Sequence, residues 1–134
     1  MSRFTVLVFA CLLSGSLLAE DKKEAPANVN VKKIGKPAPA DASVKEIEVS
    51  AKKYEFSPAM IEVPVNTLVK LQLKAIDREH GFELKSVKDS CVKFKPEAPV
   101  TLEFYADETG EYEFNCCKFC GFGHGKMKGK LIVK

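Results

Sequence analysis

From Val44 onward, apolar and polar residues alternate with a period of two. Leu68-Val69-Lys70-Leu71-Gln72-Leu73-Lys74 and Val100-Thr101-Leu102-Glu103-Phe104-Tyr105 show it most clearly, as strands with one buried face should. Shorter β-rich runs lie at residues 44–49, 54–56, 60–63, 81–84, 92–94, 111–115 and 130–133. Chain breakers separate them: Ser57-Pro58, then Pro64 with Asn66, then Asp107-Glu108-Thr109-Gly110, a hairpin-like turn signal. No stretch after Val44 carries the 3.6-residue apolar repeat of an amphipathic helix. Seven or eight short strands in about 90 residues predict an all-β fold, an antiparallel Greek-key β-sandwich. A domain of that size can fold alone.

The first 43 residues break the pattern. Arg3 is followed by an almost unbroken apolar run over residues 4–18, then by Ala19 and the charged Glu20-Asp21-Lys22-Lys23. A basic start, an apolar middle and a small residue at the exit predict a secretory signal peptide cut after Ala19. The competing expectation is an uncleaved anchor, for which the run is shorter than the roughly 20 residues of a spanning helix. Cys11 as a lipid-attachment site fits poorly, because Phe9 and the very short apolar stretch before Cys11 do not match that signal. Residues 20–43 are rich in Lys, Ala and Pro (Pro26, Pro37, Pro39) and have no apolar periodicity, which predicts a flexible tether. The expected organisation is a signal peptide at 1–19, a tether at 20–43 and a folded domain at 44–134. Its expected location is periplasmic or otherwise extracytoplasmic, with membrane tethering if the N-terminus stays uncleaved.

Charge narrows the function classes. With 21 Lys+Arg against 18 Asp+Glu the net charge is +3. No basic patch interleaved with aromatic residues accompanies it, so nucleic-acid binding is not expected. Export changes the meaning of the cysteines. Loss of a signal peptide would remove Cys11 and leave Cys91, Cys116, Cys117 and Cys120. In an oxidising compartment four cysteines by default form two disulfides. That default competes with a second use.

Residues 115–127 read Asn-Cys-Cys-Lys-Phe-Cys-Gly-Phe-Gly-His-Gly-Lys-Met, placing Cys116, Cys120, His124 and Met127 at a C-x3-C-x3-H-x2-M spacing. Gly121, Gly123 and Gly125 lie where the loop must bend tightly. The only other histidine, His80, stands upstream where one strand begins. Loops of a sandwich cluster at its two ends, so His80 can meet this loop there. Two thiols, two imidazoles and a thioether are the soft and borderline donors copper prefers. Zinc also accepts two cysteines and two histidines, but a structural zinc site has no need of Met127. A c-type haem motif would require His after Cys120, where Gly121 stands, and Cys117-x-x-Cys120 lacks the βαβ setting of a thioredoxin-like pair. Two copper arrangements remain open. A mononuclear blue site would use His80, Cys120, His124 and Met127, whereas a binuclear site would add Cys116 as a second thiolate. Alternation along a strand aims Cys117 away from Cys116. A Cys91–Cys117 disulfide is therefore an open alternative, to be decided by whether the Cα atoms lie within about 7 Å.

The pattern Cys116-x3-Cys120-Gly121-x-x-His124-Gly125-x-Met127, with Asp77-x-x-His80-Gly81-Phe82 upstream, resembles the binuclear copper A domain of cytochrome c oxidase subunit II and nitrous oxide reductase. The resemblance covers about residues 44–134 and implies a cupredoxin fold. It further implies two copper ions bridged by Cys116 and Cys120, with His80 and His124 capping one each and Met127 a weak ligand. The backbone carbonyl of Lys118 is the sixth ligand implied. Family members usually carry an acidic residue at that position, a change a carbonyl ligand tolerates. The chain departs from oxidase subunits in having no tryptophan, the residue they use for electron entry.

No nucleophile triad, general base or phosphate loop accompanies the donors, so neither enzymatic turnover nor a small-molecule substrate is expected. The leading expectation is an exported electron carrier that docks on a redox partner protein. The alternatives are a copper-delivery protein serving a copper-acceptor protein such as a respiratory oxidase, and a metal-free sandwich stapled by disulfides. Lys118, Lys126, Lys128 and Lys130 around the loop suggest a basic rim that would face an acidic partner.

Overall fold

The computed structural model describes residues 30–134. The expected signal peptide and the first part of the expected tether lie outside these residues. Ten strands follow in order: β1 Asn30–Lys33, β2 Ser43–Lys52, β3 Glu55–Ser57, β4 Met60–Val63, β5 Thr67–Ala75, β6 His80–Leu84, β7 Val92–Phe94, β8 Val100–Ala106, β9 Gly110–Asn115 and β10 Lys128–Val133. A single 3-10 turn, His124–Lys126, is the one helical element among the described residues. The strands form two five-stranded sheets, β1-β8-β5-β2-β3 and β4-β10-β9-β6-β7.

The period-two pattern explains why the sheets face each other. β5 buries Val69, Leu71, Leu73 and Ala75, and β8 buries Val100, Leu102, Phe104 and Ala106. The other sheet answers with Ile61, Val63, Phe82, Leu84, Phe114, Leu131 and Val133. Three phenylalanines join the layers beneath one end. Phe82 stacks on Phe114 at 4.8 Å, and Phe56 meets both edge-on at 5.7 and 5.5 Å. Each fully buried side chain of this size is worth about 1.5–3 kcal/mol, so this cluster is a rigid floor.

The sandwich is all-β as expected, but its sheets are mixed rather than purely antiparallel. β2 runs parallel to β5, β4 to β10 and β1 to β8. A parallel pair needs a crossover connection, and here the chain supplies it by passing through the opposite sheet between β2 and β5. The sheet also begins earlier than the alternation does. Residues 30–33, assigned above to a tether, pair with β8 from Asn30↔Val100 to Lys33↔Glu103. The Ile34 N–H then donates to the Glu103 carbonyl at 2.9 Å, and the Ile34 side chain is buried. A four-residue edge strand held by backbone bonds and one core side chain has no periodic signature.

Three adjacent strands converge on one end. β6 pairs with β9 through Glu83↔Asn115, and β9 pairs with β10 through Asn115↔Lys128. His80 opens β6, Cys116 directly follows β9 and Met127 directly precedes β10. The Cys116 N–H donates to the Met127 carbonyl at 3.0 Å, extending the β9–β10 ladder by one more bond.

Candidate metal centre

The loop between β9 and β10 folds back on itself, and the 3-10 turn is the device. The His124 N–H donates to the Gly121 carbonyl at 3.1 Å, the Lys126 N–H to Gly123 at 3.0 Å, and the Met127 N–H to His124 at 3.1 Å. Gly121 adopts φ +136, where a side chain would be strained, and a Cβ there would sit 2.5 Å from the Tyr54 hydroxyl oxygen. Tyr54 therefore underlies the bend, and glycine is needed at Gly121 for both reasons.

The folded-back loop brings Cys116, the Lys118 carbonyl, Cys120, His124 and Met127 together, and β6 brings His80 to them. The Cys116 and Cys120 sulfurs lie 3.9 Å apart. Cys120 Sγ is 3.8 Å from His124 Nδ1 and 3.8 Å from Met127 Sδ. The Cys116 thiol donates to the Lys118 carbonyl oxygen at 3.1 Å and accepts from the Gly81 N–H at 3.4 Å. The donor atoms of His80, Cys116 and Cys120 all fall within 4.8 Å of one another. His80, Cys116, Cys120 and Met127 are buried, whereas His124 is half-buried and forms the solvent edge of the site.

The electrostatics are those of a site prepared for a cation. Burial pushes the Cys120 thiol up to about 11, and the neighbouring Cys116 adds to the rise. Without a positive charge nearby the Cys120 thiol retains its proton. Burial also acts to raise the Asp77 carboxyl, but hydrogen bonds from His80 and from the Lys53 N–H outweigh it and hold Asp77 below the usual carboxylate value. The Asp77 Oδ1 lies 2.7 Å from His80 Nε2. Asp77 thus places the imidazole proton on Nε2 and leaves the Nδ1 lone pair free. That Nδ1 is buried and has no hydrogen-bond partner. An unpaired buried acceptor costs about 1–3 kcal/mol, and a soft cation among these donors would satisfy it. The residues present therefore fit copper, on the orphaned nitrogen and on the donor chemistry.

Asp77 and Gly81 stood in the sequence pattern without a role of their own, and the structure gives each one. Asp77 orients His80; its signal was an acid three residues before a histidine at a strand start. Gly81 lets the ligand loop approach β6, because a Cβ on it would lie 2.6 Å from Cys117 Sγ and 2.7 Å from the Lys118 nitrogen. The open question about Cys91 and Cys117 is decided: they form a disulfide with Cα atoms 6.0 Å apart, and Cys116 and Cys120 remain free thiols. The basic rim is partly neutralised, since Lys118 lies 4.0 Å from Glu79 and Lys130 lies 2.9 Å from Glu111.

A two-sheet sandwich with soft donors gathered at one end is the cupredoxin architecture. The chain belongs to the cupredoxin-like domain family, whose model matches residues 4–133. It is similar to cytochrome c oxidase subunit 2 of Thermus thermophilus, 30% identical over 88 residues that make up 66% of this chain. The matched stretch spans 64% of that relative and 52% of a second subunit 2 sequence from the same species. Among solved structures, a chain of a heme-copper terminal oxidase dimer aligns with TM-score 0.64 and 26% identity, covering 75% of this chain and 71% of that one. Auracyanin A, a blue copper protein from Chloroflexus aurantiacus, shares the fold at TM-score 0.57 and 16% identity, covering 69% of this chain and 100% of that one. The domain is thus related to oxidase subunit 2 and shares its architecture with blue copper proteins.

Proposed function

We propose that this protein is an exported electron carrier built on a binuclear, copper A-type centre. Its ligands would be His80, Cys116, Cys120, His124, Met127 and the Lys118 carbonyl. One observation carries the reading: two free thiols stand 3.9 Å apart, and each has its own further donor. Lys118 O lies beside Cys116, and His124 and Met127 lie beside Cys120. Six donors exceed the His2Cys set with one weak axial thioether that a blue site uses. Copper would supply the one-electron couple. The chain's own residues do the rest. Asp77 fixes the His80 ring, the phenylalanine floor holds β6 and β9 in place, and burial keeps water from the thiols. Ligands that do not have to move between oxidation states keep the reorganisation small.

His124 is the route to the surface. Phe119 packs near its ring, with centroids 5.8 Å apart, and is itself 64% exposed. Phe122 on the same loop is fully exposed. These two exposed aromatics beside His124 offer an apolar contact for a redox partner. Lys126 and Lys128, which make no ion pair among the described residues, add positive charge at the rim and favour an acidic partner face.

The test is copper stoichiometry and electron paramagnetic resonance on the copper-reconstituted protein in its oxidised, paramagnetic state, followed by a chelator challenge. Two coppers per chain, hyperfine structure from an electron shared by two nuclei, and slow metal loss are expected. One copper with a single-nucleus spectrum would overturn the binuclear centre. Rapid transfer of the metal to the chelator would instead make the chain a copper-delivery protein.

A further inference from the structure

The Cys91–Cys117 disulfide lies immediately beside the donors, and its surroundings give it more than a general stabilising role. Cys117 sits between two residues of the site, Cys116 and Lys118, and its sulfur, bonded to Cys91, lies against Gly81, where a Cβ would come within 2.6 Å of it. Its partner Cys91 ends the loop between β6 and β7, which is pinned on several sides. The buried Ser90 hydroxyl donates to the Leu84 carbonyl at 2.8 Å, the Val87 N–H donates to the same carbonyl at 3.0 Å, and Lys32 Nζ donates to the Cys91 carbonyl at 2.9 Å. Cys91 is therefore a fixed anchor rather than one end of a loose loop.

On the other side, Gly81 leaves no space between β6 and the ligand loop, since even a methyl group there would overlap Cys117 Sγ and Lys118 N. The backbone at 116–118 is thus clamped between the disulfide and the strand that begins with His80. It carries the Cys116 thiol and the Lys118 carbonyl, 3.1 Å apart. Beyond Asn115 the β9–β6 ladder has ended, so few other bonds hold these two donors relative to His80. The pairing also removes one of three closely spaced cysteines from the donor pool, leaving the two that face His80.

We propose that Cys91 and Cys117 are a positioning pair for the metal centre: their bond sets the place of the Cys116 thiol and the Lys118 carbonyl against His80. This rests on the copper reading above. Its first test does not depend on copper: peptide mapping of the apo protein under non-reducing conditions. A Cys91–Cys117 link with Cys116 and Cys120 free is expected, and a Cys116–Cys120 link or four free thiols would overturn the proposal.

The second test compares the wild type with C91A/C117A and C91S/C117S, folding being checked by circular dichroism. Copper-loaded, either variant should lose about 10–100-fold in copper affinity, the range found when groups that orient metal ligands are removed, and should show altered copper hyperfine splitting. V133A, which opens the core at the opposite end of β10, should lower the melting temperature but leave the splitting unchanged. Wild-type affinity and splitting in a folded double variant would overturn the proposal. So would failure of both variants to fold, which would make the bond a folding staple. A wild type with the expected mapping that takes up no copper would instead refute the functional reading.

Discussion

Replacing Gly81 with alanine probes the closest approach in the site. A Cβ at Gly81 would lie 2.6 Å from Cys117 Sγ, 2.7 Å from Lys118 N and 3.1 Å from Lys118 Cβ. Carbon settles against such atoms at about 3.5 Å, so β6 and the ligand loop must separate by about 0.9 Å. β6 has little freedom to yield. It is paired on both sides, with Gly81↔Lys93 to β7 and Leu84↔Phe114 to β9, and the flanking His80 and Phe82 are fully buried. The loop is tied through Cys117 to Cys91. With neither side free, the cost should be that of an overpacked core, about 1–3 kcal/mol. For a domain of this size that lowers the melting temperature by about 5–15 °C. The displacement falls on Lys118 and on the bond from the Gly81 N–H to Cys116 Sγ, so the copper-loaded protein should also change its optical and paramagnetic spectra. Thermal unfolding of the apo protein by circular dichroism reads the first effect, and copper reconstitution reads the second. An apo melting temperature within about 1 °C of the wild type, together with an unchanged copper spectrum, would refute the close-packing argument.

Two further outcomes follow from the electrostatics. D77N keeps the shape beside His80 but removes the charge that the Nε2–H faces at 2.7 Å; copper affinity in a chelator competition should fall about 10–100-fold, and an unchanged affinity would remove Asp77 from the site. Apo Cys120, raised from 9.0 to about 11, should alkylate at pH 8 about a hundredfold more slowly than an unfolded-chain thiol, with a rate rising about tenfold per pH unit. A flat pH profile would contradict the shift. The sign for stability follows from the same proton, which the folded apo protein retains where the unfolded chain releases it. The contribution is complete below pH 9 and lost as the pH rises from 9.0 towards 11.

The alternation of β5 and β8 and the spacing of Cys116, Cys120, His124 and Met127 were legible because each is a local property. A period of two states which face of a strand is buried, and four donors within twelve residues need only one loop to gather them. That was enough for an all-β sandwich and for the chemistry of its donor set. It does not state which strands become neighbours, so the parallel pairing of β2 with β5 and the addition of β1 to the sheet emerged only in three dimensions. Pairing depends on how the chain crosses between layers, and a four-residue edge strand leaves no pattern to read.

The same division runs through the site. The sequence alone named the candidate donors, since soft side chains at fixed spacing carry their chemistry wherever the loop lies. Only the tertiary structure decided that His80 Nδ1 is left without a partner while Asp77 holds Nε2, that Cys117 pairs with Cys91 rather than joining Cys116, and that Gly81 admits the loop. Asp77 is only three residues from His80. The burial that isolates Nδ1, the Cys91–Cys117 bond and the approach at Gly81 depend instead on segments far apart in the chain, set by how two sheets pack, and no local pattern encodes them.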